Sequence, residues 1–149
     1  CGHQDTLGYG FPTGLGVKVA NPDKVVISIT GDGGFQFAIQ ELATAKQFGI
    51  NLITVVFNNS SFGNVRRDQE THYGGRVIGA DLENPDFRAL AKSYGVSGYL
   101  VIDAKGLWKA LTEAVAKEEP AVIEVRLETG SEVSPWPFIL RDAFCSKLI

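Results

Sequence analysis

The sequence predicts one α/β domain in which helices cover both faces of a mostly parallel sheet, giving a three-layer α/β/α fold. Four short apolar segments rich in β-branched residues alternate with segments of helical period, an order typical of parallel α/β proteins. The first two, residues 24–30 and 51–57, are almost entirely apolar, as is typical of strands covered on both faces. A single helix-length segment joins them, so a right-handed crossover between parallel strands is expected.

Composition and charge narrow the classes of partner. With 149 residues, 44% hydrophobic and 21% charged, the chain has the make-up of one ordinary globular domain. A net charge of -3 without a basic stripe argues against nucleic acid and membrane as partners, and no apolar run approaches the roughly 20 residues that span a bilayer. Cys1 and Cys145 show no metal-ligand or disulfide spacing, so we expect a cytoplasmic protein. The chain begins at Cys1 without a methionine, and we expect it to be part of a longer protein.

Two helices are expected in the first third of the chain. Pro12 can open the first helix, and a turn follows at residues 21–23. Small residues would give this helix a face for close packing: Gly14, Gly16 and Ala20. The second helix follows strand 24–30 and should stop at Gly49. Its apolar residues fall near one helical face: Phe35, Ile39, Leu42 and Phe48.

The second half continues the α/β alternation. Residues 60–81 are polar and glycine-rich, and a segment of that length is expected to be functional or partly helical. Asn84 and Pro85 are predicted as N-cap and first residue of a helix that ends at Gly95. A strand at 96–102, a helix at 106–117 and a strand at 121–127 should follow. The last helix is expected to turn four residues inward: Leu107, Leu111, Ala114 and Val115.

Polar residues follow the first two predicted strands. Asp32 stands in Gly31-Asp32-Gly33-Gly34, and Asn58-Asn59 ends the second strand. A carboxylate and a carboxamide at neighbouring strand ends can converge on Mg²⁺, while the glycines leave backbone N–H groups open to a phosphate. Two alternatives stay open: Asp32 can cap the next helix, and Asn59 can be a turn residue. A dinucleotide-binding fingerprint is disfavoured because Gln36 stands where that motif needs a glycine. A Walker phosphate-binding loop is disfavoured because no Gly-Lys-Ser/Thr sequence follows.

The same stretch resembles a known family. Gly31-Asp32-Gly33, 24 further residues and Asn58-Asn59 match the thiamine diphosphate motif of the acetolactate synthase, pyruvate oxidase and benzoylformate decarboxylase superfamily. Three further segments also match the sequences of that superfamily: Gly8-Tyr9-Gly10-Phe11-Pro12, Gln40-Glu41-Leu42-Ala43-Thr44-Ala45 and Tyr73-Gly74-Gly75-Arg76. The resemblance implies the thiamine diphosphate-binding fold over residues 1–127, with a C-terminal tail at 128–149.

The resemblance also implies roles for individual residues. Mg²⁺ would be bound by Asp32, Asn59 and the backbone carbonyl of Ser61, and the diphosphate by the backbone of Gly33 and Gly34. Further positions would contact or support the cofactor: Asp5 and Leu7 near its aminopyrimidine ring, with Leu7 holding its bent conformation, and Phe62 and Gly63 after the asparagines. His3 is a candidate proton shuttle or a surface residue, whereas His72 is expected to be structural.

The function that the resemblance implies is decarboxylation of a 2-oxo acid, or its ligation to an acceptor, with thiamine diphosphate and Mg²⁺. Alternatives are a carbon–carbon lyase or acyl-coenzyme A decarboxylase of the same superfamily, or a non-catalytic subunit that keeps the fold. The family's activating glutamate lies on an N-terminal domain or partner subunit and has no match in this sequence, so we expect no turnover by the chain alone. A homodimer or homotetramer of the intact protein is expected, and FAD, where present, would lie on a further domain.

Some positions depart from the acetolactate synthase pattern. Asp68 stands where these enzymes carry a substrate-selecting tryptophan, and Asn64 replaces an apolar residue that lines the site. Arg66 and Arg67 are expected near the mouth of the site or on a solvated loop face. Trp136 and Phe138 in the tail are expected to form a contact surface, since the flanking prolines exclude regular helix and central strand.

Overall fold

The structure is a computed structural model that describes residues 6–131 and residue 133. The predictions for His3, Asp5, Trp136 and Phe138 therefore lie outside the described residues. Four strands form the sheet within the described part: β1 (Val26–Gly31), β2 (Leu52–Asn58), β3 (Ser97–Val101) and β4 (Ala121–Arg126). Their order is β1-β2-β4-β3, and every neighbouring pair is parallel, which confirms the predicted sheet.

Helices lie on both faces of this sheet. Their bounds are α1 (Gly10–Ala20), α2 (Asp32–Gln36), α3 (Leu42–Gln47), α4 (Gly63–His72), α5 (Phe87–Ser93) and α6 (Ala104–Lys117). On one face Phe11, Phe35 and Phe87 from three different helices stack edge to face, with ring centroids 5.2 and 5.6 Å apart. On the other face Ala110 and Ala114 of α6 pack on the central strands. The three-layer α/β/α prediction is confirmed.

The crossover between β1 and β2 is not the single helix that the sequence predicts. Ala38 leaves helical geometry, with φ -135° and ψ 17°, and a 3-10 turn at Ile39–Glu41 separates α2 from α3. The break changes the helical phase, so Phe48, predicted to face inward, is 68% exposed. Because α2 begins at the residue after β1, the first turn of this short helix lies directly at the carboxyl end of the sheet.

The small-residue face of α1 is reduced to one position. Gly14 is buried against Leu52 and Ser28, where an added Cβ would lie 3.0 Å from side-chain atoms of both, whereas Gly16 and Ala20 are exposed. In α6 the predicted inward residue Val115 is 39% exposed, whereas Ala110, which was not predicted to face inward, is buried. Leu107, Leu111 and Ala114 do face the core as predicted, so the apolar stripe of α6 differs from the prediction only at Val115 and Ala110.

Strand β1 is an edge strand of the described sheet and is covered on one face only. Ile27 and Ile29 project on the side occupied by α6, but α6 packs over β2, β3 and β4 and does not reach them, so Ile29 is 69% exposed. The expectation that β1 is covered on both faces is wrong for the described residues. None of the described helices is long and apolar enough to cross a membrane.

Residues 60–81, which follow β2 and were expected to be functional or partly helical, are partly helical. Helix α4 occupies their first half, and the returning chain forms an antiparallel bridge between Ser61 and Asp81. The next helix begins later than predicted: Asp86, not Asn84, is the N-cap of α5, and its Oδ1 accepts a hydrogen bond from the N–H of Ala89 at 2.8 Å. Pro85 disfavours helical backbone at the residue before it, which leaves the Asn84 side chain available for another contact.

Candidate functional site

The carboxyl edge of the sheet opens into a cleft of about 630 Å³. Its walls are the loop before α1, the turn between β1 and α2, and the loop between β2 and α4. Seven residues predicted for the cofactor site line it: Leu7, Asp32, Gly33, Gly34, Ser61, Phe62 and Gly63. This location is the one at which parallel α/β sheets bind ligands, because the loops after successive strands converge there.

Asp32 is the most deeply buried acidic group of the cleft. It follows β1 directly, is 2% exposed, and its Oδ2 accepts a hydrogen bond from Nδ2 of Asn84 at 2.6 Å. Gly31, not Asp32, is the N-cap of α2, and its position carries no side-chain cap, so the capping alternative is wrong. No lysine or arginine in the described part of the chain forms an ion pair with Asp32, so the neutral amide of Asn84 is the partner that the structure shows for this buried carboxylate.

Asn58 and Asn59 have different partners. Asn58 is buried at the end of β2, where its Oδ1 accepts from the N–H of Ser60 at 3.1 Å and its Nδ2 donates to Glu124 at 2.9 Å. Asn59 is half-buried, and its Oδ1 accepts from the N–H of Ser61 at 3.2 Å, the turn geometry of the second alternative. A carboxamide oxygen has two lone pairs, so this turn leaves Asn59 with capacity for a further partner.

The backbone after the asparagines is tightly constrained. Ser60 has φ +56°, in the left-handed region that a non-glycine residue seldom adopts. Hydrogen bonds from Phe62 N to Ala80 O and from Leu82 N to Ser60 O hold the turn against the returning chain. The carbonyl oxygen of Ser61 accepts no hydrogen bond from the described residues, and its buried Oγ also lacks a protein partner there. Two oxygens of Ser61 are thus unsatisfied beside the cleft.

Glycine is required at two positions of the cleft wall. A Cβ on Gly33 would lie 2.7 Å from Cδ1 of Phe62, whose ring packs directly on the backbone of α2. Gly8 has φ +93° and would bring a Cβ within 2.7 Å of Cβ of Phe37. Leu7, next to Gly8, is 51% exposed and lines the cleft, so it is not a core leucine. Its predicted role as a support for a bound cofactor stays a prediction.

The residues that depart from the acetolactate synthase pattern fall in different places. Asn64 lines the cleft and accepts a hydrogen bond from Arg67 at 3.0 Å. Asp68 lies outside the cleft, in an adjoining surface groove that Val65 shares with it. Arg66 pairs with Asp81 and with Glu70, which ties α4 to the returning chain. His72 is exposed at the end of α4, away from the residues that line the cleft.

Three residues that the sequence did not predict for the site lie behind the cleft lining and form hydrogen bonds to its polar groups or to one another. Asn84 contacts Asp32 and Asn58, Gln36 donates to Oδ1 of Asn84 at 2.5 Å, and Glu124 holds Asn58. The sequence around Glu124 does indicate that this residue has a structural role. A single acidic residue inside the apolar strand segment 121–127 must be buried, and a buried carboxylate needs partners.

Comparison with known proteins identifies the family of this architecture. Residues 1–125 match the family model of the thiamine pyrophosphate enzyme, C-terminal TPP binding domain. The chain belongs to this family. Thiamine pyrophosphate is thiamine diphosphate, so the predicted family is confirmed, while the division of the chain at residue 127 stays a prediction.

Relatives of this thiamine diphosphate domain are acetolactate synthases and a decarboxylase. The chain is 41% identical over 133 residues to a probable acetolactate synthase large subunit of Methanocaldococcus jannaschii, covering 89% of this chain and 22% of the relative. It is 38% identical over 136 residues to the acetolactate synthase large subunit of Haemophilus influenzae, covering 90% and 24%. The solved thiamine diphosphate-dependent 4-hydroxybenzoylformate decarboxylase of Rhodococcus jostii RHA1 matches with a TM-score of 0.78 and 34% identity, covering 85% of this chain and 24% of that one. The chain thus spans about a quarter of the length of these relatives.

Proposed function

We propose that this chain binds the diphosphate of thiamine diphosphate through Mg²⁺ in an acetolactate synthase-like enzyme that decarboxylates a 2-oxo acid and transfers the remaining carbon unit to an acceptor. The observation that carries the proposal is Asp32, a buried carboxylate at the ligand-binding edge of a parallel sheet without a cationic partner among residues 6–131. A bound cation would balance that charge. The relatives' names support the reaction class.

Asp32 and the oxygen donors that follow β2 have the chemistry that Mg²⁺ prefers. The carbonyl of Ser61 accepts no hydrogen bond in the described structure, and Oδ1 of Asn59 keeps one lone pair beyond its turn contact. Carboxylate, carboxamide and carbonyl oxygens are ligands that Mg²⁺ prefers, and it commonly keeps waters and substrate phosphates as its other ligands. Within the described ranges no cluster of three or more His, Cys, Asp or Glu side chains is available to bind a metal. This mixed donor set therefore suits a cation that arrives with a diphosphate.

The diphosphate would lie at the first turn of α2. No side chain caps this turn, so its initial backbone N–H groups, including those of Gly33 and Gly34, remain available as donors. Leu7, which lines the cleft and is half exposed, would support the ring system. When bound, thiamine diphosphate supplies the nucleophilic carbon and the electron sink for decarboxylation. The chain's own residues contribute binding and orientation.

The remaining parts of the reaction are assigned to other segments. The group that activates the aminopyrimidine would come from an N-terminal domain or partner subunit, and the intact enzyme would be a homodimer or homotetramer. A second candidate is a decarboxylase without carboligation, favoured by Asn64 in the cleft wall and by the similarity to the Rhodococcus decarboxylase. Turnover of the intact enzyme with and without an added acceptor would separate the two candidates.

Backbone NMR of the glycine-labelled 149-residue chain tests the binding step. With millimolar thiamine diphosphate and Mg²⁺, we expect the amide signals of Gly33, Gly34 and Gly63 to shift, while those of Gly49 and Gly130, outside the cleft, stay in place. Excess EDTA should reverse the shifts. Absence of shifts, or equal shifts in EDTA, would contradict the proposal.

A further inference from the structure

Asn84 is the one side chain of the described structure that forms hydrogen bonds to side chains at the ends of both β1 and β2. Its Nδ2 donates to Oδ2 of Asp32 at 2.6 Å and to Oδ1 of Asn58 at 2.8 Å. Both protons of the Asn84 amide group are thereby donated to acceptors at the carboxyl ends of neighbouring strands. Asp32 and Asn58 are 26 positions apart in sequence, and Asn84 connects them from a third segment.

Hydrogen bonds from backbone N–H groups on both sides of Asn84 in the sequence hold it in this position. Upstream, Leu82 N donates to Ser60 O at 2.9 Å, which ties the segment to the turn after β2. Downstream, Phe87 N donates to Oε2 of the buried Glu124 at 3.1 Å, which ties the start of α5 to β4. Pro85 between these anchors keeps the backbone of Asn84 extended. The side chain therefore has little freedom to move away from Asp32 and Asn58.

The orientation of the amide is also determined by its surroundings. Gln36 donates to Oδ1 of Asn84 at 2.5 Å, so the carbonyl side points toward Gln36. Asn58 donates its Nδ2 to Glu124, so its Oδ1 must face Asn84. A rotated Asn84 would set its carbonyl oxygen against two other oxygens. Carboxylates at Asp32 and Glu124 thus fix the direction of the whole set of amides.

We propose that Asn84 is a positioning residue for the metal ligand Asp32: it binds Oδ2 and so presents the other oxygen, Oδ1, to the cation. No hydrogen bond from a residue in the described ranges reaches Oδ1. A lysine or arginine in place of Asn84 would also hold the carboxylate, but its charge would compete with the cation for Asp32. A neutral amide orients the carboxylate and leaves its negative charge available. This inference rests on the proposed function, because it assigns the cation to Asp32.

The test compares Mg²⁺ dependence in variants of the 149-residue chain, using the glycine shifts caused by thiamine diphosphate. Asn84→Ala and the near-isosteric Asn84→Leu should raise the Mg²⁺ concentration for half-maximal shift about 10- to 100-fold, the usual effect of removing an outer partner of a metal ligand. Gln36→Ala, which frees the Asn84 amide to rotate, should give a smaller loss in the same direction. The matched control is Asp86→Ala, which removes the N-cap of the same α5 without touching the amides.

A crystal structure of the ligand-free Asn84→Ala chain provides a second readout that does not depend on binding. We expect the Asp32 carboxylate to turn from its wild-type orientation. Unchanged Mg²⁺ dependence, or loss as large in Asp86→Ala as in Asn84→Ala, would overturn the positioning role, as would an Asp32 side chain that keeps its orientation. If the wild-type chain itself shows no Mg²⁺-dependent shift, the proposed function fails, and the ligand-free structures still decide whether Asn84 orients Asp32.

Discussion

Replacing Glu124 tests how firmly the end of β2 is held, independently of any ligand. The carboxylate is buried and accepts from Asn58 Nδ2 at 2.9 Å, from Phe87 N at 3.1 Å and from Arg126 at 2.9 Å. In Glu124→Gln one of the two side-chain oxygens becomes an NH₂ group, so either Asn58 or Phe87 loses its acceptor. A buried donor without a partner costs about 1–3 kcal/mol, and we expect the free energy of unfolding to fall by that amount.

Glu124→Ala removes both acceptors and leaves a cavity, so its expected loss is about 3–5 kcal/mol. The contribution of Arg126 is small because its side chain is half exposed. Urea unfolding followed by circular dichroism measures these differences. The control is Glu113→Gln, which breaks an exposed pair with Lys117 of 3.2 Å and should cost less than about 0.5 kcal/mol. Equal losses in Glu124→Gln and Glu113→Gln would refute the account of the buried network.

Three further predictions concern the cleft wall, the cap of α5 and catalysis. Gly33→Ala should lower the melting temperature, because its Cβ would lie 2.7 Å from Cδ1 of Phe62, and adding Phe62→Ala should restore most of the loss; a fully stable single variant would contradict the close packing. Asp86→Ala should cost about 1 kcal/mol in urea unfolding at pH 7. The N–H of Ala89 lowers the pKa of Asp86 below 3.8, so this contribution is present above pH 3.8 and should disappear as the pH falls through the lowered value; a pH-independent difference would argue against it. The 149-residue chain alone should release no CO₂ from 2-oxo acids with thiamine diphosphate and Mg²⁺, and measurable turnover would show that it carries its own activating group.

The parallel sheet was predictable because its signal is local. Runs of β-branched residues separated by one helix length determine strand type and direction without knowledge of other contacts. Side-chain direction was less predictable, as Phe48 shows: the 3-10 turn at Ile39–Glu41 shifts the helical phase, and nothing in the apolar spacing reveals that break. The exposure of Ile29 likewise depends on where α6 lies across the sheet.

The site likewise contains residues that could be predicted from their neighbours in sequence and residues that depend on distant contacts. Asp32 and the glycines around it could be proposed from adjacent residues, since a carboxylate and open N–H groups at a strand end have direct chemical meaning. The role of Asn84 could not be proposed in this way, because its partners Asp32 and Asn58 are 52 and 26 positions away. The sequence pattern around Asn84 instead predicted that it caps the next helix. When two residues can cap the same helix, here Asn84 and Asp86, the one that does not cap is available for a distant contact.

In the proposed function a divalent cation bound by Asp32 anchors thiamine diphosphate in this cleft. Crystals of the 149-residue chain grown with thiamine diphosphate and Mn²⁺, which gives an anomalous signal, test it most directly. We expect one anomalous peak within about 2.0–2.3 Å of a carboxylate oxygen of Asp32, the side-chain oxygen of Asn59 and the carbonyl oxygen of Ser61, with diphosphate density beside Gly33 and Gly34. Bound thiamine diphosphate with the peak elsewhere, or with no peak at Asp32, would contradict it.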